Sequence, residues 1–313
     1  MNRKILFTVS FIHVFFALIA FPPRALSADT LKIRAQSAVL KNLNTGEILW
    51  SKNAGREIPP ASITKVLTLY LAFEAIEEGR AAPEDRVVIS RKASRMKGSR
   101  MHVDEGEEVQ LEDLIKGTAI VSGNDAAVAI AEHIEGDVDA FVRQMNLKAR
   151  SLGMTRSHFR NPNGLPARGQ VTTARDVLRL SESYLERFPR SLEIHSMTSY
   201  TFQDVTQKNS NHLLEMCPDV DGLKTGFTKK SGYHIVVTAR RDGMRLMAVV
   251  MGARSSGVRD REARRLIEEG FRMARIPGSA VQTPAAAAKL KKTTASTRST
   301  KAAARSVNSR SRL

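Results

Sequence analysis

Strand-like segments lie near both ends of the body of this sequence, with helical segments between them. Near the start, Ser37–Lys41 and Gly46–Ser51 flank a turn that contains glycine, and they predict an antiparallel hairpin. Near the end, Tyr233–Ala239 and Met244–Met251 flank an Arg-Asp-Gly turn and predict a second hairpin. Because strands from both ends must share one core, the sequence predicts an α+β fold: an antiparallel sheet flanked by helices, with an inserted helical subdomain.

The helices between and after these strands are recognised by apolar periodicity and by glycine or capping residues at their ends. One of them starts with the capping pair Thr173 and Asp176. The helix that starts at Ser62 is apolar on most of its faces, so we expect it to be buried in the core. The predicted helices are Ser62–Gly79, Leu111–Ile120, Asn124–Ile134, Val138–Leu152, Thr173–Arg187 and Arg259–Ala274.

The N-terminal segment has the composition of an export signal. Arg3 and Lys4 precede a long apolar run, which small residues close near Ala28. This is the layout of a secretory signal peptide, which we predict at residues 1–28. An uncleaved anchor helix is the alternative, because the apolar run is near the lower length limit for spanning a bilayer. Both interpretations place the body outside the cytoplasm, in the periplasm or at the outer face of the cell membrane.

The C-terminal segment, residues 277–313, is basic and contains no acidic or aromatic residue. Its alanine, serine and threonine content cannot bury enough apolar surface to offset the entropy of ordering, so it is predicted to be disordered. Anionic envelope polymers or lipid headgroups are its expected partners, and a solvated tail without a partner is the alternative. Nucleic acid is not expected, because an exported protein meets little of it. Residues 29–276 remain as one predicted domain.

Cysteine and histidine usage excludes two other kinds of site. Cys217 is the only cysteine, so no intramolecular disulfide can form, and we expect it to act as a small buried apolar side chain. The seven histidines show no His-Glu-x-x-His or other ligand spacing. Neither a metal ion nor another cofactor is therefore predicted.

Ser62 and Lys65 lie three residues apart at the start of the predicted buried helix, so their side chains share one face. A serine nucleophile needs a base, and lysine can be that base if burial lowers its pKa from about 10.4 towards neutrality. The N–H groups at a helix start also favour developing negative charge. A second Ser-x-x-Lys, at Ser94 and Lys97, lies in a charged stretch without an apolar helix, and we interpret it as a chance match.

Two further motifs follow along the chain. Ser122-Gly-Asn lies between two predicted helices, and Lys224-Thr-Gly precedes the C-terminal strands. Each is common alone, but together with the first Ser-x-x-Lys, in this order, they form a signature of serine acyl-enzymes.

The chemistry of such a site gives each residue an expected role. Lys224 supplies a positive charge for a substrate carboxylate, and Thr225 can hydrogen-bond the same group. Gly226 has no side chain, so an extended substrate can approach the strand edge.

The remaining motif residues serve proton transfer and charge stabilisation. Ser122 can relay a proton to the leaving amine, and Asn124 can hold the amide of the acyl side chain. The backbone N–H groups of Ser62 and Phe227 are predicted to form the oxyanion hole.

With these motifs the chain resembles the low-molecular-mass penicillin-binding proteins, the serine D-alanyl-D-alanine carboxypeptidases of peptidase family S11. The resemblance runs from about Ala35 to Ala274 and includes Asn161-Pro-Asn-Gly-Leu and Asn209-Ser-Asn-His-Leu-Leu. It implies a DD-peptidase/β-lactamase-like fold and removal of the terminal D-alanine from peptidoglycan stem peptides, with β-lactams as covalent inhibitors. It also implies a role in cell-wall maturation and cell shape, and Arg259 as a further ligand of the substrate carboxylate.

The sequence departs from this family pattern at two places. Phe227 stands where relatives often carry histidine, which we expect to affect substrate preference. The chain becomes basic soon after Ala274, so the second, β-rich domain and the C-terminal amphipathic anchor of many relatives are not expected.

Two alternatives to a carboxypeptidase are weighed on the same residues. A class A β-lactamase needs a glutamate that activates the deacylating water, and the matching segment Arg160–Leu165 has none. A non-catalytic cell-wall-binding protein would not need the intact set of motif residues. The sequence leaves open whether the enzyme acts as a carboxypeptidase or as an endopeptidase on crosslinked peptides.

Overall fold

The computed structural model describes residues 31–274, so the signal peptide predicted at residues 1–28 and the basic tail predicted at residues 277–313 lie outside the described residues. Strands of the described part are β1 Ser37–Asn42, β2 Ile48–Lys52, β3 Arg86–Val88, β4 Glu108–Gln110, β5 Ser199–Phe202, β6 Val205–Lys208, β7 Val220–Thr228, β8 Gly232–Arg241 and β9 Met244–Ala253. Its helices are α1 Lys65–Glu77, α2 Arg91–Ser94, α3 Leu111–Lys116, α4 Asn124–Glu135, α5 Val138–Ser151, α6 Ala174–Arg187, α7 Ser191–His195, α8 Leu213–Met216 and α9 Ser256–Ala274.

Five strands form the main sheet in the order β2-β1-β9-β8-β7, and all neighbouring pairs are antiparallel. Val39 of β1 lies opposite Val249 of β9, so an early and a late strand of the described chain pair in the middle of the sheet. The predicted α+β fold with an antiparallel sheet and inserted helices is confirmed. The strand β7 forms one edge of the sheet, and the edge of a sheet is where an extended chain can add.

Helix α1 runs through the core, as its apolar faces predict. Leu67 and Leu69 are fully buried, and burying such a side chain contributes roughly 1.5–3 kcal/mol. Tyr70 packs edge-on against Phe188 at 5.2 Å between ring centroids. The site at the start of α1 is therefore held by a rigid, fully packed element.

The capping and cysteine predictions agree with the structure. The Thr173 Oγ1 accepts a hydrogen bond from the N–H of Asp176 at 3.1 Å, which starts α6. Cys217 is buried and free. Within residues 31–274, no helix combines the length and apolar content needed to cross a bilayer.

The helix predicted at Leu111–Ile120 is confirmed, but its second half is not α-helical. Only α3, Leu111–Lys116, is α-helical, and Gly117–Val121 is a π-helical stretch that ends at the left-handed residue Ser122. The Met101 Sδ lies 2.3 Å from where a Cβ of Gly117 would be, so only glycine allows this close approach. The loop that carries Met101 thus packs closely against this helix just before Ser122.

The Lys224-Thr-Gly motif lies inside a strand rather than before the strands. Lys224 and Thr225 are in the middle of β7, opposite Val236 and Ile235 of β8. Lysine, threonine and glycine do not form a strand-like pattern, but pairing with the apolar β8 overrides the local preference.

Candidate active site

The Ser-Lys pair lies at the junction of a short 3₁₀ turn, Ala61–Thr64, and helix α1. The Nζ of Lys65 lies 3.1 Å from the Oγ of Ser62. Lys65 is fully buried, whereas Ser62 is half-buried. Burial and, secondly, the charge of Lys224 lower the pKa of Lys65 well below its usual value, while Asp125 opposes this shift.

Lys65 has three hydrogen-bond partners, and their chemistry decides how a neutral amine is oriented. Besides the serine, its Nζ donates to the Oδ1 of Asn124 at 2.6 Å and to the main-chain oxygen of Asn163 at 2.7 Å. These two oxygens can only accept, whereas the Ser62 hydroxyl can also donate. A neutral Lys65 therefore gives its two N–H bonds to the carbonyls and points its lone pair at the Ser62 hydroxyl.

The Ser122-Gly-Asn motif lies where the π-helical stretch ends and α4 begins. Ser122 is buried and has a left-handed backbone with φ +64°. The Nδ2 of Asn124 donates to the main-chain oxygen of Lys97 at 2.6 Å. Asn124 thus joins the base to the neighbouring loop, and only its second Nδ2 hydrogen remains for a substrate amide.

Asp125 is a structural support that the motif analysis missed. Its buried carboxylate accepts hydrogen bonds from the N–H groups of Met101 and His102, both at 2.9 Å. These bonds tie the loop before β4 to the start of α4. The signal that could have identified it is an aspartate directly after Ser122-Gly-Asn, at the start of an apolar helix.

Strand β7 packs against the 3₁₀ turn that carries Ser62. A Cβ on Gly226 would lie 3.1 Å from the backbone nitrogen of Ser62 and 3.2 Å from that of Ile63. Any side chain here would push the strand away from the turn. The two backbone segments that carry the predicted oxyanion donors, those of Ser62 and Phe227, are therefore held next to each other.

Lys224 is a residue of the same strand, and its side chain is buried. Its Nζ donates to the main-chain oxygen of Thr225 at 3.2 Å, and none of the ion pairs found within residues 31–274 includes it. Burial and, secondly, the charge of Arg259 lower the pKa of Lys224 to about 7. This shift disfavours the expected fixed positive charge, and an anion bound nearby would raise the pKa and favour the charged form.

Thr225 belongs to a polar cluster with Ser210 and Arg259. The hydroxyl oxygens of Ser210 and Thr225 lie 2.6 Å apart, and Arg259 donates to the main-chain oxygen of Ser210 at 3.2 Å. The Nε of Arg259 donates to Asp260 at 2.7 Å. The structure thus brings Lys224, Thr225 and Arg259 together, and it adds Ser210, which the motifs did not indicate.

The segment from Asn161 to Leu165 fills the other side of the turn. Gly164 has φ +83°, and a Cβ on it would lie 1.8 Å from the main-chain oxygen of Ala61. The Thr68 Oγ1 donates to the main-chain oxygen of Pro162 at 2.6 Å. This packing places the main-chain carbonyl of Asn163 beside the Nζ of Lys65. Residue types alone do not predict this contact.

Replacing Gly164 with alanine is expected to lower the free energy of unfolding by about 3 kcal/mol or more, because the new Cβ and the main chain of Ala61 cannot occupy the same space. The matched control is Gly153→Ala, which has φ +72° but nothing within 4 Å of its Cβ. In this control the free energy of unfolding should fall only by the cost of placing alanine in a left-handed backbone, about 1–2 kcal/mol. Equal losses in urea unfolding would show that the contact with Ala61 is unimportant.

The second Ser-x-x-Lys copy has a different environment. The Ser94 hydroxyl donates to the main-chain oxygen of Arg91, and the side chain of Lys97 is exposed. This copy therefore lacks the buried lysine that the first one has.

Two histidines are buried in the sheet region, and their roles are structural. Burial lowers the pKa of His195 to about 3 and that of His234 to about 4, so both are neutral. The Nδ1 of His234 accepts from the N–H of Gly252 at 2.9 Å. In the described part of the chain, no group of three or more His, Cys, Asp or Glu residues is placed to hold a metal ion.

A serine beside a buried lysine, under the edge strand of this sheet, is the arrangement found in serine acyl-enzymes of the penicillin-binding class. Comparison with known proteins agrees and is more specific. Residues 24–255 match the sequence model of the D-alanyl-D-alanine carboxypeptidases, peptidase S11. The chain therefore belongs to this family of serine-type carboxypeptidases.

Individual relatives give the extent of the similarity. The chain is 34% identical over 264 residues to the D-alanyl-D-alanine carboxypeptidase DacF of Bacillus subtilis, covering 81% of this chain and 68% of the relative. It matches the crystal structure of penicillin binding protein 6B from Escherichia coli with a TM-score of 0.75 and 38% identity over 80% of both chains. It also matches penicillin-binding protein D2 from Listeria monocytogenes in its ampicillin-bound form, with a TM-score of 0.71 and 29% identity over 77% of this chain and 98% of that one. The chain spans about two thirds of the length of the curated relatives it matches.

Proposed function

We propose that this protein removes the terminal D-alanine from peptidoglycan stem peptides through an acyl-enzyme on Ser62, and that β-lactams acylate the same serine. The observation that carries the proposal is the environment of Lys65: full burial, a lowered pKa and an Nζ that lies 3.1 Å from the Ser62 Oγ. The family and the relatives support the substrate class. The ampicillin complex of the Listeria relative supports β-lactam binding.

Acylation begins when Lys65 takes the proton of the Ser62 hydroxyl. The oxygen then attacks the carbonyl carbon of the penultimate D-alanine. The oxyanion that forms is stabilised by the backbone N–H groups of Ser62 and Phe227. Ser122 donates its hydroxyl proton to the nitrogen of the terminal D-alanine and takes up the proton held by Lys65. The C–N bond breaks, free D-alanine leaves, and the peptide remains as an ester on Ser62.

Deacylation regenerates the free hydroxyl of Ser62. Water attacks the ester carbonyl, the bond to the Ser62 oxygen breaks, and the shortened peptide leaves with a new carboxyl group. Within residues 31–274, no glutamate is hydrogen-bonded to Lys65, whose partner on the Asn161–Leu165 side is a main-chain carbonyl. Without a carboxylate base for water, a penicilloyl ester on Ser62 should hydrolyse slowly.

Substrate binding uses the polar cluster at β7. Thr225 and Arg259 bind the terminal carboxylate, and Lys224 becomes fully protonated when that anion binds. Gly226 keeps the strand edge open for the peptide backbone. Asn124 mainly positions Lys65, and its free Nδ2 hydrogen can reach the acyl side of the peptide.

We place this activity in cell-wall maturation outside the cytoplasm, in agreement with the export signal predicted at residues 1–28 and with the cell-wall enzymes among the relatives. Anionic envelope polymers or lipid headgroups remain proposed partners of the basic tail at residues 277–313.

The test of the proposed function is mass spectrometry of the intact protein after exposure to penicillin, together with an assay for D-alanine release. We expect one adduct with the mass of the intact penicillin, located on Ser62 by peptide mapping, and release of D-alanine from a peptide that ends in D-Ala-D-Ala. Rapid turnover of penicillin would indicate a β-lactamase instead. Neither adduct nor D-alanine release would indicate a non-catalytic cell-wall-binding protein.

A further inference from the structure

The charged residues of this protein are unevenly distributed around the candidate active site. Three segments that touch the surroundings of Ser62, residues 91–103, 155–175 and 222–234, contain no aspartate or glutamate. They contain five, four and three lysines or arginines, respectively. The acidic residues of the described chain all lie in other segments.

Hydrogen bonds and close packing place these segments at the site. Lys97 accepts a hydrogen bond from Asn124 through its main-chain oxygen, and Gly164 packs against Ala61. Lys229 follows Gly226 by three residues, so its Cα lies within about 11 Å of that glycine. Each segment therefore has a residue close to Asn124, Ala61 or Gly226.

Some cations in these segments have acidic partners. Arg91 lies 4.0 Å from Glu105, and Arg156 lies 3.0 Å from Glu57. Eight exposed cations of these segments have no carboxylate at ion-pair distance within residues 31–274, and Lys92, Arg95 and Arg175 are three of them. We call the other five the rim cations: Lys97, Arg160, Arg168, Lys229 and Lys230.

Uncompensated cations at the rim create a positive potential over the groove. Charges interact across about 8 Å at physiological ionic strength, so neighbouring cations add to one another's potential. A single exposed ion pair contributes about 0–1 kcal/mol, but several converging charges together raise the rate of association. The terminal carboxylate is already bound by Thr225 and Arg259, so the rim acts on charges farther from the bond that is broken.

We propose that the rim cations form an electrostatic subsite for carboxylates that the peptide carries upstream of its terminal D-Ala-D-Ala. The preferred substrates are then acidic stem peptides, and amidation of their upstream carboxylates weakens recognition. This inference rests on the proposed function and names the substrate class of the same site.

The first test compares two peptides that differ only by a carboxylate or a carboxamide on a residue upstream of D-Ala-D-Ala. At about 20 mM salt we expect kcat/KM for D-alanine release to be roughly fivefold higher for the acidic peptide. At about 1 M salt, where screening shortens the range of charge interactions to about 3 Å, the ratio should approach one. Equal kcat/KM values at low salt would overturn the proposal.

Two double variants separate a local effect from one of total charge. Lys229→Gln/Lys230→Gln should reduce the preference for the acidic peptide at least twofold at low salt. Arg190→Gln/Arg272→Gln removes the same number of positive charges, but these arginines pair with Glu193 and Glu269. The Arg190→Gln/Arg272→Gln variant should keep the preference for the acidic peptide. An unchanged preference in Lys229→Gln/Lys230→Gln would contradict the proposal.

A binding measurement keeps the test independent of catalysis. In the Ser62→Ala variant, titration calorimetry with both peptides should show the same preference in Kd at low salt. If the wild-type protein released D-alanine from neither peptide, this result would contradict the proposed function alone. Equal Kd values for the two peptides would contradict the rim subsite alone.

Discussion

Replacing Ser62 with alanine is expected to abolish the penicillin adduct and to slow D-alanine release by about 10⁴-fold or more, since loss of a serine nucleophile has costs of this size. Its hydroxyl lies 3.1 Å from the base and beneath Gly226, at the point where the oxyanion donors meet. The variant keeps those donors and the carboxylate-binding cluster, so peptide binding should survive. Intact-mass spectrometry and a coupled assay for D-alanine measure the two losses.

The chain provides a matched control in its second Ser-x-x-Lys copy. Ser94→Ala removes a hydroxyl that is bonded only to the main-chain oxygen of Arg91, and its activity should equal that of the wild type. Retention of the adduct in Ser62→Ala, or its loss in Ser94→Ala, would mean that a residue other than Ser62 is the nucleophile.

Replacing Lys65 with arginine is expected to reduce acylation by about 10³-fold, within the range typical of general-base catalysis. Arginine keeps a positive charge but cannot lose its proton in a protein, so it cannot act as the base. The guanidinium would also have to satisfy the oxygens of Asn124 and Asn163 in a site shaped for an amine. Rates of penicillin adduct formation by rapid-quench mass spectrometry measure this loss, and Lys97→Arg, at an exposed lysine, is the control.

The pH profile of the wild type gives a second measure of the same base. Because only neutral Lys65 accepts a proton, acylation should fall as the pH falls through its lowered pKa. Lys224, with a pKa of about 7 before substrate binds, loses its charge as the pH rises, so KM for a carboxylate substrate should rise above neutral pH. A bell-shaped profile of kcat/KM is therefore expected. An acid limb that persists unchanged in Lys65→Arg would assign that limb to another group.

The sequence predicts the sheet well because its signals are local. Apolar runs and an Asp-Gly turn mark β8 and β9, and the first hairpin is marked in the same way. The short hairpins β3–β4 and β5–β6 were missed, since three or four polar-rich residues carry no clear alternation. The π-helical winding before Ser122 was missed, and Gly117 in this stretch packs against Met101 from a separate loop.

The site shows the same division between local and long-range information. Ser62 and Lys65 are three residues apart, so their proximity follows from helical geometry alone. The carbonyl of Asn163 that completes the surroundings of Lys65 is 98 residues away, and only the folded chain places it there. Likewise, a glycine at position 164 is visible in the sequence, but its contact with Ala61 is not. A residue's type indicates its chemistry, whereas its partner is fixed by packing.

The pairing of β1 with β9 has a consequence for the order in which the protein matures. Ser37 pairs with Met251, so the middle of the sheet closes a loop that contains nearly the whole described chain. Such long-range pairing is slow, because the entropy of closing the loop is lost before the contacts form. A ribosome delivers Ser62 long before it delivers β7, β8 and β9. Ser62 therefore acquires its neighbours on β7 only after most of the described chain has been synthesised.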